Sequence, residues 1–437
     1  MQRAIAVLRS TIQARAVIKL HNHRNYNHSG KRLPTRSMST ARSGPLYAWH
    51  EGVEDLERYC AGGYHPVTLE TTFKSGRYKV VHKLGYGSYS TVWLARDTIQ
   101  NRYVTLKVLV AENPGASSVE ASIRARLRSG NPAHPGRTHV QQPLDEFQVE
   151  GPNGTHAVLV SEVLGPTVMD LKAASEGEVL PAKVARRLTG QLALGLAYVH
   201  KCGIVHGDLH SKNVATTLPS LDDWSVERIY STFYGDPERD PVMRLDGQPL
   251  GPEVPPYTIP FVYFWNLGMD SLTDGAKILD FGEASLQDRP RTSLNTPPPF
   301  RAPEAMFNDQ IGPPADVWAF GCTVFDLWCQ GDHSGMLFGQ GFDRSVDGTV
   351  QQMVHLLGEL PDRWTKQWKM KQAFLEDDGS SKREASLAAL VGGLEEINDE
   401  DKEGLFMLLQ GCLKYEPEER MTAEEISRNE WVKKCLQ

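Results

Sequence analysis

The first fifty residues contain no aspartate or glutamate but nine lysines and arginines. That absence excludes an ordinary globular surface there. It leaves two readings for residues 1–46, a basic disordered tail or a targeting segment. The series Ile5, Leu8, Ile12, Ala16 and Leu20 has helical spacing, as in a mitochondrial transit peptide, although Lys19 intrudes on its apolar face. Cysteine is also scarce. The six (Cys60, Cys202, Cys322, Cys329, Cys412, Cys435) are scattered, which excludes a disulfide scaffold or zinc spacing and fits reduced thiols inside a cell. No apolar run reaches the about 18 residues that a membrane span needs. Beyond residue 50 the balance turns acidic, with 38 basic against 54 acidic residues, a net of −16. An acidic body argues against direct nucleic-acid binding and suits a basic substrate.

What is present is an ordinary globular composition, 40% hydrophobic and 23% charged over 437 residues, enough for two packed lobes. Residues 78–84, 91–95 and 103–110 alternate apolar and polar and are rich in Val, Tyr and Thr, so they predict antiparallel strands. Residues 117–128 predict a helix and 156–163 another strand. Pro181 opens a helix to His200, with apolar spacing through Val184, Leu188, Leu192, Leu196 and Val199. Helices dominate from there. The expected fold is α+β: a small antiparallel β-rich lobe over 77–163, then a larger helical lobe over 164–433, with 47–76 as an N-terminal extension. Between Asn213 and Asp280 lies a 66-residue insert, 214–279, with eight prolines and many aromatics, among them Trp224, Tyr230, Phe233, Tyr257 and Trp265. Disordered linkers are poor in aromatics, so much of it should pack on the large lobe.

Five patterns carry chemistry, and their order matters more than any one of them. His206-Gly207-Asp208-Leu209-His210-Ser211-Lys212-Asn213 sets a carboxylate and a carboxamide five residues apart. That layout suits a base for a hydroxyl proton followed by a metal ligand. Gly85-Tyr86-Gly87-Ser88-Tyr89-Ser90-Thr91-Val92 lies between two strands, where glycines let amides approach phosphates. On its own it is equally a hairpin turn, and Ser90 stands where a third glycine is usual. Lys107, in Val104-Thr105-Leu106-Lys107, sits among apolar neighbours and needs anionic partners. Glu120 is the only acid of the 117–128 helix. Ser161-Glu162-Val163-Leu164-Gly165 lies at a strand-to-helix joint, and Asp280-Phe281-Gly282 follows an apolar strand. Ala302-Pro303-Glu304 and Asp316–Gly321 follow, with Glu304 expected to pair with Arg420 and Asp316 to cap the 206–213 loop.

Together these residues resemble the eukaryotic protein kinases over about 77–433. Finer motifs are similar to the SR-protein kinase group, especially its fungal members: Glu54-Asp55-Leu56-Glu57-Arg58-Tyr59, Gly62-Gly63-Tyr64-His65-Pro66-Val67, Ser90–Ala95 and His134-Pro135-Gly136. The resemblance implies a two-lobed kinase fold and ATP-dependent phosphorylation of serines in Arg/Ser-rich proteins such as splicing factors. It implies Asp208 as catalytic base, Lys107 and Glu120 as the phosphate-orienting pair, and His210 at the transferring group. Asn213 and Asp280 would bind Mg²⁺. Leu84, Gly85, Gly87, Val92, Lys107, Glu162 and Leu164 would hold ATP. A monomer of the cytoplasm and nucleus is implied; the Arg-rich, acid-free N-terminus leaves the mitochondrion as the alternative.

Two departures bear on activity. Gly207 replaces the arginine that reads a phosphate on the activation loop, so activity without loop phosphorylation is expected. His210 replaces a lysine and brings less charge, which leaves a nucleotide-binding scaffold with weak transfer as the competing reading. Thr296 lies one residue further from Ala302 than the usual activation-loop threonine and receives no role. Arg-rich substrates call for an acidic docking patch. The candidates are Glu395, Glu396, Asp399, Glu400, Asp401 and Glu403, with Glu376, Asp377 and Asp378 as a second patch.

Overall fold

The computed structural model describes residues 44–437 except 112–116, 234, 263, 268, 273–274, 330–335, 340–344, 369, 371–385 and 396. The basic leader and the acidic residues 376–378 therefore lie outside the described residues. The small lobe is a six-stranded antiparallel sheet. Its strands are β1 (Thr72–Phe73), β2 (Tyr78–Gly87), β3 (Ser90–Asp97), β4 (Arg102–Leu109), β5 (Pro143–Gly151) and β6 (Gly154–Ser161), in the order β1-β2-β3-β4-β6-β5. Alternation in β2–β4 places Tyr78, Val80, Trp93, Ala95, Val104, Leu106 and Val108 in one buried cluster. Helix α1 (Ser117–Ser129) packs beside the sheet. β5 was not foreseen. Its sequence, Pro-Leu-Asp-Glu-Phe-Gln-Val-Glu-Gly, alternates, but the strand is an edge with no fully buried residue, so charge masks its period.

The large lobe is built on α2 (Ala182–Lys201) and α3 (Pro313–Trp328). α2 buries Leu188, Leu192, Leu196 and Val199 on one face. α3 is buried from Ala315 through Trp328 and lies at the centre of the main core. Helix α4 (Val346–Leu357) adds Met353 and Leu356 to the same core, and helix α5 (Asp399–Cys412) packs on α3. The His134-Pro135-Gly136 motif has a packing cause: a Cβ on Gly136 would sit 1.8 Å from the Leu194 carbonyl oxygen of α2.

The insert is anchored at its base by a short ladder, in which Val214, Ala215 and Thr216 pair with Ile278, Lys277 and Ala276. Its aromatics pack on both lobes, not on the large one alone. Phe233 and Phe264 enter the main core, while Ile259 enters the small-lobe cluster. The Tyr230 hydroxyl donates to the Val81 carbonyl (3.2 Å), and the Tyr257 hydroxyl accepts from the Leu69 amide (3.1 Å). Trp224 is partly buried against the main core, and its carbonyl accepts the Tyr103 hydroxyl at 2.9 Å; the Trp265 side chain lies outside the description. The reach to the small lobe was not legible because it runs through His82 of β2, which Tyr230 and Phe233 meet edge-on at 6.1 and 5.1 Å.

Candidate active site

The 206–213 loop is held from below. Asp316, buried in the first turn of α3, accepts the amides of His206 (2.7 Å) and Gly207 (2.8 Å) and the His200 Nε2 (2.9 Å). Burial alone would raise the Asp316 carboxyl; the His200 contact and the amides outweigh it and hold it below the usual carboxylate range. Gly207 has φ +77°, and a Cβ there would lie 2.8 Å from the Glu283 carbonyl oxygen, so the loop accepts only glycine without strain. From the other side the Thr296 hydroxyl donates to the Gly207 carbonyl at 2.6 Å, and Arg301 donates to the Thr296 carbonyl at 2.6 and 2.9 Å. Thr296 thus anchors the activation segment to the catalytic loop through a neutral bond. Its spacing from Ala302 gave no hint of this.

Above this base stands Asp208. Its Oδ2 accepts from Asn213 Nδ2 at 3.0 Å, while its Oδ1 is buried with no partner among the described residues. Asn213 also donates to the Asp208 carbonyl (2.8 Å), so its described side-chain bonds to oxygen run through Nδ2 and its carbonyl Oδ1 remains for a hard cation. His210 lies against the same group. Its Nδ1 accepts the Lys212 amide at 3.2 Å, and its Nε2 lies 3.4 Å from both Asp208 Oδ2 and Asn213 Nδ2. The ring is buried and packs on Phe300 at 5.6 Å. The structure thus places His210 beside the Asp208 carboxylate and the Asn213 amide, at the position expected to face the transferring group.

Lys107 and Asp280 meet across the lobes. Lys107 Nζ lies 2.8 Å from Asp280 Oδ1, and this ammonium keeps the Asp280 carboxyl below the usual range. Asp280 has φ +63°, a left-handed conformation that aspartate tolerates better than most side chains. The expected Lys107–Glu120 pair is not the one formed. Glu120 bonds Arg124, one turn on in α1, at 3.3 Å, and Arg124 also holds Glu146 at 2.6 Å. Burial raises the Glu120 carboxyl, with Arg124 and then Lys107 opposing it, so Lys107 acts on it only through the field. The local i,i+4 partner and the competing Asp280 explain the difference.

Around the cleft, Gly85 pairs with Val92 and Val92 with Lys107, which brings the glycine-rich turn, its β3 neighbour and the lysine into one row. A Cβ at Gly85 or Gly87 would meet nothing within 4 Å, so the turn borders open space. Leu84 packs at the edge of the main core, and Leu164 is half-buried at the joint between the lobes. The Glu162 side chain is engaged with Lys277 at 2.6 Å, which leaves the backbone of this joint for nucleotide recognition. Ser161 Oγ accepts from Gln141 Nε2 at 3.1 Å. Among the described residues no cluster of three His, Cys, Asp or Glu is placed to hold a metal ion, so a cation here needs Asn213 and phosphate oxygens beside Asp280. Nor is any described helix long and apolar enough to cross a membrane.

The protein kinase domain family matches residues 78–219 and 266–432. The chain belongs to the protein kinase family. The stretch of this kinase left unmatched, 220–265, falls within the insert. It is similar to the serine/threonine-protein kinase SRPK of Physarum polycephalum, 28% identical over 417 residues that cover 88% of this chain and 91% of that protein. Protein kinase dsk1 of Schizosaccharomyces pombe is 27% identical over 468 residues, 87% of this chain and 85% of its own. SRSF protein kinase 3 of Homo sapiens is 38% identical over 189 residues, 43% of this chain and 33% of its own. The enzyme is a protein serine/threonine kinase that uses ATP.

One acidic docking residue is corrected. Asp401 is buried and receives Arg186 at 2.6 and 2.8 Å and the Trp431 indole at 3.1 Å, so it holds the lobe together. Glu400 pairs with Lys434 at 2.6 Å, and Glu396 lies outside the described residues.

Proposed function

We propose that this kinase phosphorylates serines in Arg/Ser-rich proteins of the splicing-factor type. The observation that carries the catalytic part is Asp208. One carboxylate oxygen is fixed by Asn213, and the other is buried with no partner among the described residues. A serine hydroxyl against Oδ1 gives its proton to the carboxylate as its oxygen becomes the nucleophile. The Asn213 amide, bonded to both the carboxylate and the carbonyl of Asp208, keeps the carboxylate from rotating. Lys107, on β4, orients the nucleotide phosphates, and the glycine-rich turn has room for them. The residues present fit Mg²⁺ as well. Asp280 is kept ionised and Asn213 Oδ1 is free of described bonds, so these two would hold a cation that neutralises phosphate charge. The substrate class rests on the names of the relatives and on the acidic body of the chain.

Asp208→Ala should lower kcat on an Arg-Ser peptide on the order of a thousandfold while leaving ATP affinity nearly unchanged. Wild-type turnover in that variant would overturn the base assignment. Equal activity of the wild-type enzyme on arginine-free serine peptides would overturn the substrate class.

A further inference from the structure

We propose that residues 54–64 form a clamp on the glycine-rich turn, in which Arg58 and Tyr64 are positioning residues for the nucleotide phosphates. This rests on the reading of that turn as the phosphate cradle. Two backbone carbonyls of the turn are captured from outside the sheet. The Tyr64 hydroxyl donates to the Gly87 carbonyl at 2.7 Å, and Arg58 Nη1 donates to the Ser88 carbonyl. Arg58 Nη1 also reaches the Tyr64 hydroxyl (3.1 Å), and its guanidinium lies 4.7 Å over the Tyr64 ring, so the two act as one unit. Burial pushes the Tyr64 phenol up to about 12, which keeps it protonated and a donor at neutral pH.

The consequence follows from the planar trans peptide. In each unit the C=O and the N–H point to opposite sides. Fixing the carbonyls of Gly87 and Ser88 toward the clamp turns the amides of Ser88 and Tyr89 away from it. Amides held in one direction are what an anionic ligand requires of a turn, and a glycine-flanked turn left to itself would sample many.

The clamp has a rigid footing. Lys83 of β2 is buried and paired with Glu54, and Glu54 also accepts the Tyr59 hydroxyl at 2.5 Å. The Lys83 ammonium lies 5.3 Å over the Trp93 ring of β3. The Gly62-Gly63 pair lets the chain double back: Gly62 has φ +86°, and a Cβ on Gly63 would sit 1.8 Å from the Arg58 carbonyl oxygen. Tyr64 N then bonds that carbonyl at 3.0 Å, which sets Arg58 and Tyr64 side by side. The far side is tied to the insert. Tyr59 and Tyr64 pack with Val242 and Val254, and Asn153 Nδ2 bridges the carbonyls of Tyr64 and Glu253 at 2.7 Å each.

The test uses the full-length protein and compares ATP with adenosine, which lacks the phosphates. In calorimetric titrations, Arg58→Ala and Tyr64→Phe should each weaken ATP binding roughly three- to tenfold, the size of one lost hydrogen bond. Adenosine affinity should stay at the wild-type value. Arg58→Lys, which keeps a donor, should recover most of the loss. In turnover the KM for ATP should rise more than kcat falls, with the KM for peptide unchanged. Unchanged ATP affinity in both variants, or an equal loss for ATP and adenosine, overturns the clamp. Tyr64→Phe keeps the ring and decides the matter should Arg58→Ala fail to fold. A wild-type enzyme that binds ATP yet phosphorylates no peptide would defeat the proposed function, and these affinities would still decide the clamp.

Discussion

Arg420 is buried and makes five hydrogen bonds, two to Glu304 at 2.7 Å each and three to the carbonyls of Lys414, Pro314 and Tyr415. Such a pair adds little over an apolar replacement, but half of one is costly, because the remaining charge stays buried. Glu304→Ala should therefore lose about 3–5 kcal/mol of stability in urea unfolding. The Glu304→Ala/Arg420→Met double variant should recover part of it; additive losses would show that the two do not act as a pair. This pairing was legible because Glu304 falls in the recognisable Ala302-Pro303-Glu304 motif. The partner of Lys107 was less so. Its need for an anion could be read from its apolar strand, but two carboxylates compete there, and only the fold decides that Arg124 occupies Glu120 and Asp280 takes the lysine.

Among elements, the insert combines a base of three ladder pairs with aromatic contacts to both lobes. Replacing residues 220–265 with a short Gly/Ser linker would expose Ile259's partners in the small-lobe cluster and uncover His82. We expect a melting temperature lower by several degrees and reduced turnover; a variant with both unchanged would make the insert a passenger. Strong periodicity made β2, β3, β4, β6, α1 and α2 legible to within a few residues. β5 was hidden by its charges, and the insert's short strands, Asp240–Pro241 and Tyr257–Thr258, are too brief to have a period. The Asp208–Asn213 contact was legible because the two stand five residues apart in one loop. The roles of Thr296, Arg58 and Tyr64 were not, since each acts by bonding a backbone carbonyl that no side-chain pattern reports.

For the molecule as a whole, burial sets the acid limit. It lowers His65 and His82 to about 4 from 6.5, and lowers His156, whose ring lies 4.7 Å from that of His65. The folded state holds these rings neutral, so between about pH 6.5 and 4 the unfolded chain binds more protons. Stability present above 6.5 is lost as pH falls, by roughly 1.4 kcal/mol per unit for each such histidine. Urea midpoints should decline from pH 7 to pH 5, and His65→Gln should flatten the decline; a level profile would contradict the burial argument. Asp97, Asp145, Asp280 and Asp316 have lowered values and titrate below this window.

The bridge between Tyr47 and Arg244 imposes a timetable on biosynthesis. At about 5–20 residues per second, roughly 200 residues must leave the ribosome before Tyr47 can meet its partner, a wait on the order of 10–40 s. The strands β2 to β6 have all left the ribosome well within that interval, while Tyr47 and Tyr59 still lack Val242 and Val254 beside them. A nascent chain stalled short of residue 240 would carry the clamp on the glycine-rich turn without its backing from Val242 and Val254, leaving Tyr47 and Tyr59 open to chaperones.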